Sequence, residues 1–81
     1  MDGIFDRVYV NIPKLDKTVF ILVDDKTEVR YIKLRIEDIE SIPFENQELL
    51  YNDNILENIN TLVSYNIKRG ETLILNEIEN A

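Results

Sequence analysis

Hydrophobic residues alternate with polar ones in the first part of the chain, which is the period of β-strands. Alternation from Val8 to Ile12 predicts a half-buried strand that ends at Pro13. After a six-residue connection, 13–18, apolar residues occupy both parities of 19–23, so we predict a second strand whose other face is also partly covered. The two strands should form a hairpin, preceded by a loosely held arm over residues 1–7.

A helical period follows. The apolar stripe of this segment consists of Val29, Ile32, Ile36 and Ile39. Its spacing of three, four and three residues predicts one amphipathic helix. Asp25 or Thr27 is the expected N-cap, because the side-chain oxygens of both residue types accept a hydrogen bond from an orphan backbone N–H. The helix should end at Ser41, since Pro43 disfavours its continuation.

The last third of the chain predicts two or more further strands. Leu49 and Leu50 must point to opposite faces of the first of them. The Asn-Asp-Asn run at 52–54 predicts a turn, and Gly70 permits a left-handed turn before a final strand around 72–76. The predicted core consists of Val10, Ile12, Val19, Ile21, Ile32, Ile36, Leu49, Leu56, Leu62, Ile67, Leu73 and Leu75. The chain is therefore expected to be α+β, with one main helix packed on one face of a four- to five-stranded mixed sheet.

The amino-acid composition excludes several catalytic and binding functions. Eighty-one residues predict one domain, and the absence of cysteine and histidine removes thiol and imidazole catalysis and the usual zinc ligands. Sixteen acidic against nine basic residues give a net charge of −7, which argues against nucleic acid as a partner. Paired carboxylates such as Glu37 and Glu40 have no apolar pocket in this pattern, so neither an enzyme nor a cofactor is expected. We expect a soluble, intracellular monomer that does not bind membranes.

An ordered set of short motifs resembles ubiquitin. The set comprises Ile42-Pro43, Gln47, Leu49-Leu50-Tyr51, Leu56-Glu57, Thr61-Leu62, Tyr65-Asn66-Ile67 and Thr72-Leu73. The resemblance extends from Val8 to Ile78 and implies a ubiquitin-like β-grasp domain over residues 8–78, with a short tail over 79–81. It also implies a largely buried Lys33, and a Tyr65 whose hydroxyl holds the loop near Glu57; a simple core aromatic remains the alternative for Tyr65.

The resemblance implies a function of display rather than transfer. Conjugated relatives of ubiquitin end in Gly-Gly, whereas this sequence ends in NEIENA at 76–81, so we expect a non-conjugated type. Ubiquitin's chief recognition surface is an exposed apolar cluster on the sheet. The matching positions, which we predict to bind protein partners, are Leu15, Glu48, Leu50, Ile74 and Asn76. The alternative, that these are isolated surface side chains without a function, stays open.

The predicted rim of this surface is acidic. Glu45, Glu48, Asp53 and Glu77 surround the apolar pair Leu50 and Ile74. Such a rim favours partners with lysine or arginine around an apolar anchor, although the charge could equally serve solubility. Ubiquitin-binding domains, a proteasome receptor or a pathway-specific protein are the partners the resemblance implies for a module of a larger protein. A modifier conjugated through a C-terminus not present in this sequence, or a splicing-factor adaptor, are the alternatives.

Overall fold

Five strands and one α-helix form the regular structure of residues 6–78, which are the residues described in the computed structural model. The elements are β1 (Asp6–Ile12), β2 (Lys17–Val23), α1 (Val29–Glu40), β3 (Gln47–Tyr51), β4 (Asn54–Ile55) and β5 (Thr72–Glu77). The strands lie in the order β2-β1-β5-β3-β4 in one sheet. β1 and β5 run parallel and the other neighbours are antiparallel. The predicted mixed sheet with one helix is confirmed.

The first hairpin differs from its prediction at both ends. β1 begins at Asp6, so Asp6 and Arg7 belong to the sheet rather than to the expected arm. The connection to β2 takes four residues, not six: a single 3₁₀ turn, Pro13–Leu15, is closed by Asp16 with φ of 55°, whose N–H donates to the Pro13 carbonyl. The remainder of the arm, 1–5, and the tail, 79–81, lie outside the described residues.

Helix α1 begins at a backbone cap. Neither Asp25 nor Thr27 caps it, which makes that prediction wrong, and Glu28 occupies the N-cap position without a side-chain bond. Instead, the N–H groups of Val29 and Arg30 donate to carbonyls of the 58–60 loop at 2.9 and 3.0 Å. Two of the orphan donors of the helix are therefore satisfied by a distant chain segment, which fixes α1 against that loop.

The buried stripe of α1 ends one residue away from the predicted position. Ile39 belongs to the apolar stripe that predicts the helix, although not to the predicted core, and 45% of its surface is exposed. The buried residues of α1 are Val29, Ile32, Lys33 and Ile36, and in the last turn it is Glu40, not Ile39, that is partly buried. There the Glu40 carboxylate bonds the Lys17 ammonium at 3.1 Å, so an ion pair with β2 replaces an apolar contact in the last turn.

The core lies between α1 and one face of the sheet, here called the inner face. Its buried hydrophobic residues are Val8, Val10, Ile12, Ile21, Val23, Val29, Ile32, Ile36, Ile42, Leu49, Leu56, Leu62, Ile67, Leu73 and Leu75. All but one of the predicted core residues are in this set; Val19 is only half-buried and packs on its border. No helix within residues 6–78 is long and apolar enough to cross a lipid bilayer.

The predicted turns are confirmed by left-handed backbone. Asn52 and Asp53 have φ of 51° and 67° between β3 and β4, and Asn66 has φ of 60°. Gly70, with φ of 81°, precedes β5, and Ser41, with φ of 60°, ends α1. Asparagine, aspartate and glycine tolerate this region best, so these residue types place the corners that bring β3 beside β5.

Candidate functional site

The outer face of the sheet, opposite α1, carries an apolar cluster on β3, β4 and β5, the last three strands along the chain. Leu49 and Leu75 are fully buried partners on the inner face, so their neighbours Leu50 and Ile74 point outward. Leu50 lies directly opposite Ile74 on β5 and opposite Ile55 on β4. Side chains directly opposite on one sheet face are close enough to touch. We call Leu50, Ile55 and Ile74 the β3–β5 patch.

Sequence reasoning missed Ile55. Its side chain is 59% exposed, more than the 44% of Ile74, and Leu50 between them is half-buried. The signal was present, because Leu56 was expected in the core and its neighbour would then face outward. The register across the two-residue turn at 52–53 was required to place Ile55 beside Leu50.

The other predicted site residues fall around this patch in two ways. Glu48 lies directly opposite Asn76 on the outer face, two residues along β3 and β5 from the pair Leu50 and Ile74. Leu15 is 43% exposed in the 3₁₀ turn after β1, and this turn contacts β5. Four of the predicted site residues therefore form one contiguous area on the outer face: Glu48, Leu50, Ile74 and Asn76. Leu15 lies in the 3₁₀ turn that contacts β5.

The acidic rim is narrower than the sequence predicts. Glu77 has the inner-face parity of β5, opposite Gln47, and its carboxylate bonds the Lys14 ammonium at 3.3 Å. It therefore does not add free negative charge to the outer face. Glu48 remains on that face, and Asp53 and Glu45 remain exposed in the turns beside it.

Lys33 is buried beneath this side of the sheet, as the resemblance implies. Its ammonium lies 5.8 Å from the centre of the Phe44 ring. Burial lowers the pKa of Lys33, and the charge of Glu48 partly offsets the shift. Glu48 is therefore coupled to the helix as well as displayed on the sheet.

Tyr65 has the role that the resemblance implies rather than that of a simple core aromatic. Its hydroxyl accepts the backbone N–H of Glu57 at 2.8 Å and the side-chain amide of Asn60 at 3.1 Å. The loop that these bonds hold is the one whose carbonyls cap α1. The hydroxyl thus supports the start of the helix.

A side-chain bond at one end of the β3–β5 patch joins its two main strands. The Tyr51 hydroxyl at the end of β3 donates to the Glu71 carboxylate, just before β5, at 2.5 Å. This bond, with a second from the Lys68 N–H, lowers the pKa of Glu71. It also raises the pKa of Tyr51. No pattern in the sequence predicts this contact.

Replacing Tyr51 by phenylalanine should raise the pKa of Glu71 toward its ordinary value, because the largest cause of the shift is removed. A lowered carboxyl pKa stabilises the fold above the unfolded-state pKa, and this contribution is lost as the pH falls through the folded-state pKa. Tyr51→Phe should therefore be less stable than the parent at neutral pH, with the difference shrinking in acid. Carboxyl ¹³C shifts against pH give the pKa, and an unchanged Glu71 titration would contradict the assignment.

The outer face of the first hairpin is more exposed than expected. Phe20 and Leu22 on β2 were predicted to be partly covered, yet 51% and 63% of their surfaces are exposed. The Phe20 ring lies 6.5 Å from the Tyr9 ring between centroids, and the Arg7 guanidinium lies 4.7 Å from the Phe20 centroid. Within residues 6–78, more than half of each of these two side chains is therefore left uncovered.

Comparison with known protein families gives a match over nearly the whole domain. A model described as the ubiquitin family matches residues 10–78. The matched range contains the β3–β5 patch, its rim and all of α1.

Proposed function

Because the chain belongs to the ubiquitin family, we propose that it is a non-catalytic protein-interaction domain, a module of a larger protein that recruits partners through the β3–β5 patch. The observation that carries the proposal is the outward clustering of Leu50, Ile55 and Ile74 on three adjacent strands. Contiguous exposed aliphatic side chains with a polar rim mark interaction sites on soluble proteins. The alternative interpretation, isolated surface leucines without a function, does not require the three side chains to lie side by side.

The shape and charge of the surface favour a particular class of partner. The patch is a shallow apolar area on a sheet, which an amphipathic helix can cover with anchors at spacings of three and four residues. Glu48, Asp53 and Glu45 provide the polar rim. Unlike charges across an interface speed association and like charges oppose it. We therefore infer a helical partner with lysine or arginine next to its apolar anchor.

Two designed helical peptides test this proposal. They share the same apolar face, and one carries lysine while the other carries glutamate at the flanking positions. The lysine peptide should bind more tightly, and its affinity should fall as salt is raised, because rim charges are screened. Tighter binding of the glutamate peptide would contradict the inferred charge of the partner. It would leave the apolar contact with the β3–β5 patch untested by this pair of peptides.

Substitution of the patch tests the apolar part. Leu50→Ala and Ile74→Ala should each weaken binding of the lysine peptide by roughly tenfold, because each truncates an anchor at the centre of the contact. Ile59→Ala is the matched control, since Ile59 is 71% exposed in a loop outside the sheet. If all three variants bind the lysine peptide as tightly as the parent does, the binding surface lies elsewhere.

A further inference from the structure

The two edges of the sheet differ in a way that the β3–β5 patch does not explain. β4 is an edge of two residues, whereas β2 is an edge of seven, Lys17–Val23, which pairs only with β1 within residues 6–78. An unpaired edge presents backbone N–H and C=O groups to any other extended chain. Natural edges are usually protected by shortness, proline, a bulge or a central charge. β4 has the first protection, and β2 has none of them beyond Lys17 at its start.

The composition of β2 strengthens this contrast. From Thr18 to Val23 it reads TVFILV, six uncharged residues of high β-propensity without glycine or proline. Phe20 and Leu22 are its most exposed large side chains. Pairing with another strand is favourable for a long apolar edge of this kind, because it would satisfy the free backbone N–H and C=O groups and cover both side chains. We propose that β2 pairs antiparallel with β2 of a second copy of this chain, about a two-fold axis at Ile21.

Charge selects this register. With the axis at Ile21, Phe20 lies opposite Leu22 of the second copy on the outer face, and this contact occurs twice. At each end of the paired strands, Lys17, which also pairs with Glu40 of its own copy, comes next to the turn that carries Asp25 of the second copy, so unlike charges meet there. Moving the axis to Phe20 would place Asp16 opposite Asp24 instead, which is a like-charge contact.

The groove beside β2 provides room for the second copy. It is lined on one side by Leu22 and Val23 and on the other by Tyr31 and Leu34 of α1, which are 44% and 49% exposed. In the proposed register Val19 of the second copy faces Val23 on the inner side, at the floor of this groove. The exposed apolar side of α1 is then covered by the same pairing.

The distribution of charge also favours contact at this end of the molecule. Residues 6–43 contain eight acidic and seven basic residues, whereas residues 44–78 contain six acidic and two basic ones. Pairing through β2 brings the nearly neutral parts together and leaves the acidic parts at the two far ends of a continuous sheet. The net charge of −7 therefore opposes this contact less than any contact through β3 or β5.

The β2–β2 pairing does not depend on the proposed function, but it would affect how the β3–β5 patch binds a partner. A two-fold axis perpendicular to the sheet keeps both outer faces on one side, so two β3–β5 patches face the same direction. A partner with two anchors could then be held bivalently, which raises the apparent affinity without new contacts. The contact surface along one strand is small, so we expect a weak dimer that forms at about 0.1–1 mM.

Sedimentation velocity over a concentration series tests the pairing. The parent should shift from monomer toward dimer, and Phe20→Lys and Leu22→Lys should each raise the dissociation constant at least tenfold, because lysine at the centre of the edge opposes pairing. Ile59→Lys changes the net charge equally but lies outside the sheet, and should leave the dimer unchanged. A parent that stays monomeric at 1 mM, or a dimer insensitive to Phe20→Lys, would overturn the proposal.

Intermolecular NOEs in a mixed-label sample of the parent give the register without any substitution. Contacts from Phe20 of one copy to Leu22 of the other are expected. Intermolecular contacts from Leu50 or Ile74 instead would mean that the β3–β5 patch forms the dimer, which would also overturn it. The proposed function is tested separately, since Phe20→Lys should bind the lysine-flanked peptide as the parent does when both are dilute.

Discussion

Truncation of Leu73 to alanine should lower the free energy of unfolding by about 2–5 kcal/mol. Leu73 is fully buried on β5, the strand that lies between β1 and β3, and it faces the core beneath α1. Alanine there loses the transfer free energy of the removed atoms and leaves a cavity among neighbours from both sides of the sheet. Domains of this length have a total stability of roughly 4–12 kcal/mol, so the loss is a large share of it.

Urea denaturation of Leu73→Ala and Ile74→Ala side by side measures this effect. Ile74 is the next residue on the same strand, but its side chain is on the outer face and 44% exposed. Its truncation should cost about 1 kcal/mol, because nearly half of its surface is already exposed. Similar losses for the two variants would mean that the strand does not present the faces described.

Replacement of Gln47 by methionine should cost about 1–3 kcal/mol. Gln47 is buried at the start of β3, and its side-chain amide donates to the carbonyls of Lys33 and Ile42, both at 2.9 Å. These two bonds join the helix and the segment after it to the sheet. Methionine fills a similar volume but donates no hydrogen bond, so the Ile42 carbonyl loses a buried partner.

Gln47→Ala separates the two contributions at this position. It removes the same hydrogen bonds and also leaves a cavity, so it should be less stable than Gln47→Met by a further amount. Both free energies come from the same urea series as the Leu73 variants. If Gln47→Met is as stable as the parent, the amide bonds do not hold α1 to β3, and only the packing of the side chain matters.

The parts of the fold that the sequence predicts are those governed by local patterns. Alternation places Leu73 and Leu75 on the inner face because successive strand residues point to opposite sides. The spacing of Val29, Ile32 and Ile36 places three side chains of α1 in the core. Turn chemistry places the corner at Asn66, since few residue types adopt positive φ at low cost.

The parts that it does not predict depend on contacts between distant segments. The cap of α1 comes from the carbonyls of Asn58 and Asn60, about thirty residues further along the chain, so no side-chain signal near Thr27 could reveal it. Ile39 fits the local spacing, but the last turn of α1 places Glu40 beside Lys17 of β2, a contact between distant segments that local spacing does not predict. In the candidate site, Leu50 and Ile74 follow from parity and resemblance, whereas Ile55 required the register of β4.

An NMR titration of the labelled domain tests the central claim, that the β3–β5 patch is a protein-binding surface. Three ligands are added in turn: a ubiquitin-associated three-helix domain, an acidic-flanked ubiquitin-interacting helix and a proteasomal ubiquitin receptor. We expect at least one to shift the amide signals of Leu50, Ile55, Ile74 and their neighbours, with the acidic-flanked helix the weakest. Shifts confined to other surfaces, or no shifts with any of the three, would contradict the claim that this face binds protein partners.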